Sequence, residues 1–122
     1  MNVALEKRDS LEDRWNYVVK SQPERGGGRM QYDFQLYPGK LGKLKRRSDG
    51  QFHIVAIGDA TSASDFWGIP YKAVSTVLTE TNLTHDGRWR FHIEGGSFVI
   101  YPGQGQRAEV RVQEYYSVLP PV

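Results

Sequence analysis

Seven residues, Arg88-Trp89-Arg90-Phe91-His92-Ile93-Glu94, alternate strictly between polar and apolar side chains. A period of two is that of a half-buried strand. Gly95-Gly96 then turns the chain, and Ser97-Phe98-Val99-Ile100-Tyr101 returns, which predicts a hairpin. Its apolar face is Trp89, Phe91 and Ile93; its outer face is Arg88, Arg90, His92 and Glu94. Met30-Gln31-Tyr32-Asp33-Phe34-Gln35-Leu36 alternates in the same way. Phe52-His53-Ile54-Val55-Ala56-Ile57-Gly58 is nearly continuous apolar, the pattern of a central strand covered on both faces. The stretch from Ala108 to Tyr116 begins by alternating and is expected to be a last strand ending in a helical turn.

Helical spacing is found twice. Ser10 is placed to cap a helix over 10–22, with Leu11, Trp15, Val18 and Val19 on one stripe and Pro23 as its stop. The corner Asp65-Phe66-Trp67-Gly68-Ile69-Pro70 leads into a helix of about two turns from Tyr71 to Leu78. Residues 1–9 are expected to fray, and Leu119-Pro120-Pro121-Val122 to form an extended tail. Tyr37-Pro38-Gly39, Ser48-Asp49-Gly50 and Asp86-Gly87 read as turns, with 40–47 as one arm of a hairpin. The sum is an α+β fold: a mostly antiparallel curved sheet or partly open barrel of about five strands, with two short helices against it. One domain spans 1–122, its sheet-rich core over 30–116.

Composition narrows the class. The 122 residues contain no cysteine, so disulfides and thiolate chemistry are excluded. No apolar run is long enough for a membrane span and no signal peptide opens the chain, so the expected location is cytoplasmic. The net charge of +2 says little as a total, but its distribution is uneven. Lys40, Lys43, Lys45, Arg46 and Arg47 stand within eight residues that hold no acid, and removing them leaves −3 for the rest of the chain. A local excess of this kind is a docking patch for an anion, or a solvated face.

A search for catalytic chemistry finds no constellation. His53, His85 and His92 lack metal-ligand spacing, no Gly-x-Ser-x-Gly elbow exists, and Gly26-Gly27-Gly28 does not open a helix after a strand. No cofactor or metal is therefore expected. The basic run is the stronger lead, because cations that neutralise phosphates gain affinity by releasing counterions. Arg88 and Arg90 add cations on the hairpin's outer face. Trp15, Trp67 and Trp89 are either core or a stacking surface. Phe66 and Trp67 must point to opposite faces of a strand, so Trp67, with Tyr71, is the candidate for lining a pocket.

Gly58-Asp59-Ala60-Thr61-Ser62-Ala63-Ser64 followed by Gly68-Ile69-Pro70-Tyr71 resembles the Asp-Thr-Gly-Ala-Thr…Ile-Pro-Lys segment of B3-like DNA-recognition domains, found in prokaryotic restriction endonucleases and related mobile-element proteins. Tyr71 stands where that family has a basic residue. The resemblance implies a pseudobarrel that holds DNA between two arms, with Asp59, Thr61 and Ser62 on a DNA-facing arm. The expectation is thus a non-enzymatic nucleic-acid-binding domain of bacterial or phage origin, with DNA as its partner. The alternative is a small-ligand or protein-interaction module, with a protein partner or a second copy of the chain, built around Trp67 and Tyr71.

Overall fold

The computed structural model describes residues 16–21, 31–59, 64–100 and 108–120. Among these residues seven strands form two sheets. β1 (Tyr17–Lys20), β3 (His53–Ile57) and β4 (Phe66–Pro70) make a three-stranded sheet in the order β1-β3-β4. β2 (Gln31–Leu36), β5 (Trp89–Glu94), β6 (Ser97–Ile100) and β7 (Ala108–Arg111) make an antiparallel four-stranded sheet in the order β2-β5-β6-β7. β1 runs parallel to β3, and every other pair is antiparallel. Two helices are described, α1 (Pro38–Ser48) and α2 (Tyr71–Val74).

The α+β class is as expected, but the single sheet or open barrel is not: there are two sheets, and they do not close into a barrel. The helix expected over 10–22 is also corrected, since residues 17–20 are strand β1; the remainder of that stretch lies outside the described residues, apart from Asn16 and Ser21. Tyr17-Val18-Val19 suits either period over so short a run. Pairing with the apolar strand β3 decides it, Val18 lying opposite Val55 and Val19 opposite Ala56. β-branched residues pack well on such a surface.

One core joins the inner faces of the two sheets. Tyr17, Val19, Ile54, Ala56, Trp67 and Ile69 come from the first sheet; Phe34, Leu36, Trp89, Phe91, Ile93, Phe98 and Ile100 come from the second. The predicted hairpin is β5–β6, and its apolar face lies in this core. Phe34 stacks on Phe91 at 5.1 Å between centroids, and Phe91 on Phe98 at 4.1 Å. The outer face is less solvated than alternation implies, because His92 and Val99, directly opposite each other, are both buried.

β3 is central, as its sequence predicts. Val55 and Ile57 point away from the main core and cluster with Phe66, with Val18 and Leu119 packed alongside. The C-terminal segment reaches β4 here: Ser117 N–H donates to the Phe66 carbonyl at 2.7 Å, and Tyr116 bridges Trp67. Of the segment expected as an extended tail, Leu119 packs on this cluster and Pro120 is buried; residues 121–122 lie outside the described residues. A side chain on Gly68 would run into the Val118 carbonyl oxygen and press on Pro120.

The basic run is a helix, not a hairpin arm. Pro38 sits in the first turn, where its missing N–H costs nothing. Leu41 and Leu44 recur three apart and are buried. Asp49 and Gly50 end the helix with positive φ, and Gly50 N–H donates to the Lys45 carbonyl at 3.0 Å. Pro-Gly thus starts a helix rather than a turn, because the pair Leu41/Leu44 has a core to enter. Likewise α2 is one turn rather than two; Val77 and Leu78 follow in a turn but are still buried. Asp86-Gly87 does turn the chain, but between a 3-10 segment and β5 rather than between two strands.

Replacing Gly68 with alanine is expected to cost about 1–3 kcal/mol of stability by overpacking. Gly39→Ala, with nothing within 4 Å of the added carbon, is the control. Urea unfolding of the two variants checks this; equal midpoints would mean that the 117–120 segment does not pack on β4 in solution.

Candidate functional site

Two regions concentrate polar chemistry, and they lie at opposite ends of the sheets. One is the cationic end. β2 runs directly into α1, and β3 leaves its C-terminal side, so α1 sits where β2 ends and β3 begins. Taking 100° per residue, Leu41, Leu44 and Ser48 define the inward side of α1 and Lys43 and Arg46 the outward side, with Arg47 on a flank close to Lys40. Lys40 and Lys45 fall on the two flanks. Each folds over a core aromatic: Lys40 Nζ lies 4.7 Å from the centre of the Tyr17 ring, and Lys45 Nζ 5.9 Å from that of Tyr71. Gly39 and Gly42 share the outward side with Lys43 and Arg46; a Cβ on Gly39 would meet nothing within 4 Å, whereas one on Gly42 would lie 3.3 Å from Arg46 Nη1.

Arg88 joins this end. Trp89 pairs with Leu36, so Arg88 comes up beside Tyr37, the N-cap residue of α1. Its guanidinium carbon is 5.2 Å from the Tyr37 ring centre, and its Nη1 donates to Gln35 Oε1 at 2.7 Å. Asp86 lies 3.6 Å from Arg88 Nε. The Asp86 carboxyl is held below its usual range by the Thr84 hydroxyl, with Arg88 and Arg90 adding to the effect. Arg90 is exposed, opposite Gln35. Lys72 of α2 is a further cation here that pattern reading did not single out; its Cε lies 4.0 Å from where a Gly50 side chain would begin. No periodicity signals it, because it is brought in by the β4–α2 corner.

The other region is a carboxylate hub at the far end, about 14 Å away along β2. Asp65 Oδ2 accepts from the Tyr32 hydroxyl at 2.6 Å and from the Asp59 backbone N–H at 2.9 Å. Its Oδ1 accepts from the Tyr116 hydroxyl at 2.8 Å. Gly58 makes room: a Cβ there would lie 2.7 Å from Tyr32 Cε2 and 2.8 Å from Asp65 Oδ2. Deprotonating either phenol would set a second negative charge against Asp65. The hydrogen bond and burial push Tyr32 up to about 12, and the same causes raise Tyr116. Trp67 packs between the two rings, 6.1 Å from Tyr32 and 4.9 Å from Tyr116. Its indole Nε1 is buried and has no hydrogen-bond partner among the described residues.

The sequence-predicted residues therefore separate. Lys40, Lys43, Lys45, Arg46, Arg47, Arg88 and Arg90 gather at the α1 end. Asp59 belongs to the far end, and Thr61 and Ser62 lie outside the described residues. The pocket pair separates too. Trp67 borders the Asp65 hub, whereas Tyr71 stacks on Phe52 at 4.8 Å in the core beside α1. The two strand histidines fall in different sheets, His53 on β3 and His92 on β5, and burial lowers the affinity of His53 for a proton. Among the described residues no group of three or more His, Asp or Glu side chains is placed to hold a metal, and no helix is long and apolar enough to cross a membrane. Compared with family models, curated proteins and solved structures, the chain matches none.

An ultraviolet titration of the phenolate band tests the hub. Two tyrosines should titrate late in the wild type and return toward the ordinary value of about 10 in Asp65→Asn. A raised folded-state value means that the protonated phenols stabilise the fold. That contribution is whole below about pH 10 and is lost as pH rises toward about 12. Unchanged late titration in Asp65→Asn would assign the shift to burial alone.

Proposed function

We propose that this chain is a nucleic-acid-binding domain, DNA being the expected partner, and that the outward face of α1 grips the phosphate backbone. What carries the reading is a helix that departs from the charge pattern its own dipole favours. Lys45, Arg46 and Arg47 in the last turn have a structural explanation, since cations there offset the helix dipole. The first turn runs against the dipole, although its Lys40 is placed over the Tyr17 ring. It contains no acid, the N-cap side chain makes no capping hydrogen bond, and Lys40 stands where a carboxylate would stabilise. Lys43, in mid-helix, is not explained by either terminus. Among the described residues Lys43 and Arg46 have no ion pair. A polyanion is the ligand that such a face fits, and Arg88, Arg90 and Lys72 extend it on both sides.

Contacts of this kind position a nucleic acid without reading its sequence. With about three phosphates neutralised by Lys43, Arg46 and Arg47, log affinity for a random duplex should fall with log salt at a slope of about −2.7. Lys43→Glu with Arg46→Glu should abolish binding while leaving the thermal midpoint nearly unchanged, because both side chains are exposed. Fluorescence anisotropy over a salt series measures both quantities; absence of binding to the wild type at low salt would end the proposal.

A second reading has its own observation, the indole N–H of Trp67, buried and without a partner among the described residues. An unsatisfied buried donor costs about 1–3 kcal/mol, and a ligand bearing a carbonyl oxygen would repay it. This reading places a small-ligand site between Tyr32, Trp67 and Tyr116. The side-chain N–H resonance of Trp67 should then shift on addition of an acceptor-bearing fragment, and a resonance inert to a varied fragment set would remove it.

A further inference from the structure

We infer that the preferred ligand of the α1 face is single-stranded nucleic acid, with an unpaired base stacked on Tyr37; this rests on the backbone-binding reading above. Tyr37 is an unusual residue for its position. An N-cap is best filled by Ser, Thr, Asp or Asn, whose oxygen satisfies a free N–H of the first turn. Tyr37 makes no such bond, and its side chain is not used by the core either, being 49% exposed. The fold gains little from this ring.

The ring is nevertheless held in place. Tyr37 N–H donates to the Tyr17 hydroxyl at 2.8 Å, which fixes its backbone against β1. The Arg88 guanidinium lies against the ring, and Arg88 is itself fixed by three partners. Its side chain donates to Gln35 and faces Asp86; its backbone N–H donates to Thr84 Oγ1 at 3.1 Å. A positioned, half-exposed aromatic beside a cation, at the start of an acid-free basic helix, combines the two parts of a single-strand site. The aromatic offers a stacking surface that any base fits, and the helix offers charge that follows the backbone. In a duplex the bases are already stacked on one another, so Tyr37 would contribute little; only an unpaired base is free to lie on it.

Stacking and charge respond differently to salt, and that separates them. A labelled oligo-dT and a random duplex of equal length serve as probes. Tyr37→Ala and Tyr37→Leu should each weaken oligo-dT binding by roughly 5- to 150-fold at every salt concentration, leaving the salt slope and the duplex affinity unchanged. Tyr37→Phe, which keeps the π face, should bind like the wild type. Tyr37→Leu retains apolar bulk, so a loss shared by Ala and Leu but not Phe is a loss of stacking rather than of folding. If oligo-dT binding is indifferent to Tyr37 while Lys43→Glu with Arg46→Glu still abolishes it, this inference is wrong and the backbone-binding reading stands. If neither probe binds the wild type at low salt, both are wrong.

Discussion

The Asp65 carboxylate is the contact on which the far end of this fold depends. It accepts hydrogen bonds from Tyr32 on β2, from the Asp59 backbone just after β3, and from Tyr116 near the end of the described chain. Three segments distant in sequence meet on one side chain, and two of them belong to different sheets. Packing of apolar faces is non-directional and tolerates sliding. Hydrogen bonds to a carboxylate do not, and their strength when charge-assisted is roughly twice that of neutral ones. The hub therefore fixes the register of the second sheet against the first in a way that the Phe and Ile side chains between them do not. Gly58 and Gly68 follow from the same requirement, the first admitting Tyr32 and Asp65 to each other and the second admitting the 117–120 segment to β4.

That end is occupied by internal bonds, and the proposed ligand surface lies at the opposite one. The two ends are built on different chemistry. At the hub, donors and acceptors are matched with one another. At α1, Lys40 and Lys45 lie over aromatic rings, and Arg88 lies beside the Tyr37 ring while also facing Asp86. A cation on a ring keeps its charge and much of its hydration, so it remains available to an anion in a way that a cation in a salt bridge is not. This division bears on which of the two readings of the chain weighs more. The Trp67 indole is a single unsatisfied donor, whereas the α1 face is a continuous surface.

The sequence was legible where one residue's neighbours along the chain decide its structure. Strict alternation made the β5–β6 hairpin and β2 readable, and a continuous apolar run made β3 readable as central. Reading failed where contacts distant in sequence decide. Residues 17–20 fit a helical stripe or a strand equally, and only the presence of β3 alongside makes them a strand. Pro38-Gly39 fits a turn or a helix start, and only a core ready to receive Leu41 and Leu44 selects the helix. The Asp65 hub left no local trace, because its partners stand 33, 6 and 51 positions away. The basic run itself was legible as charge; its division into two lysines folded over rings, two cations facing out and Arg47 on a flank was not, because that is a property of the helix.

Among the described residues local rules are broken at the Trp67 indole, a buried donor without a partner there, and at the start of α1. Other departures have a packing reason: His92 is buried in a sheet face, and Gly68 makes room for the 117–120 segment. At the start of α1 an aromatic replaces a capping oxygen, and a lysine stands where an acid would favour the dipole. Each is a small loss of stability, on the order of 1 kcal/mol. Sequences that specify a fold agree across levels, and sites of function are where that agreement lapses. The start of α1, with Tyr37, Lys40 and the adjoining Arg88, is where the fold forgoes stability, and under the proposed function a bound polyanion would restore it.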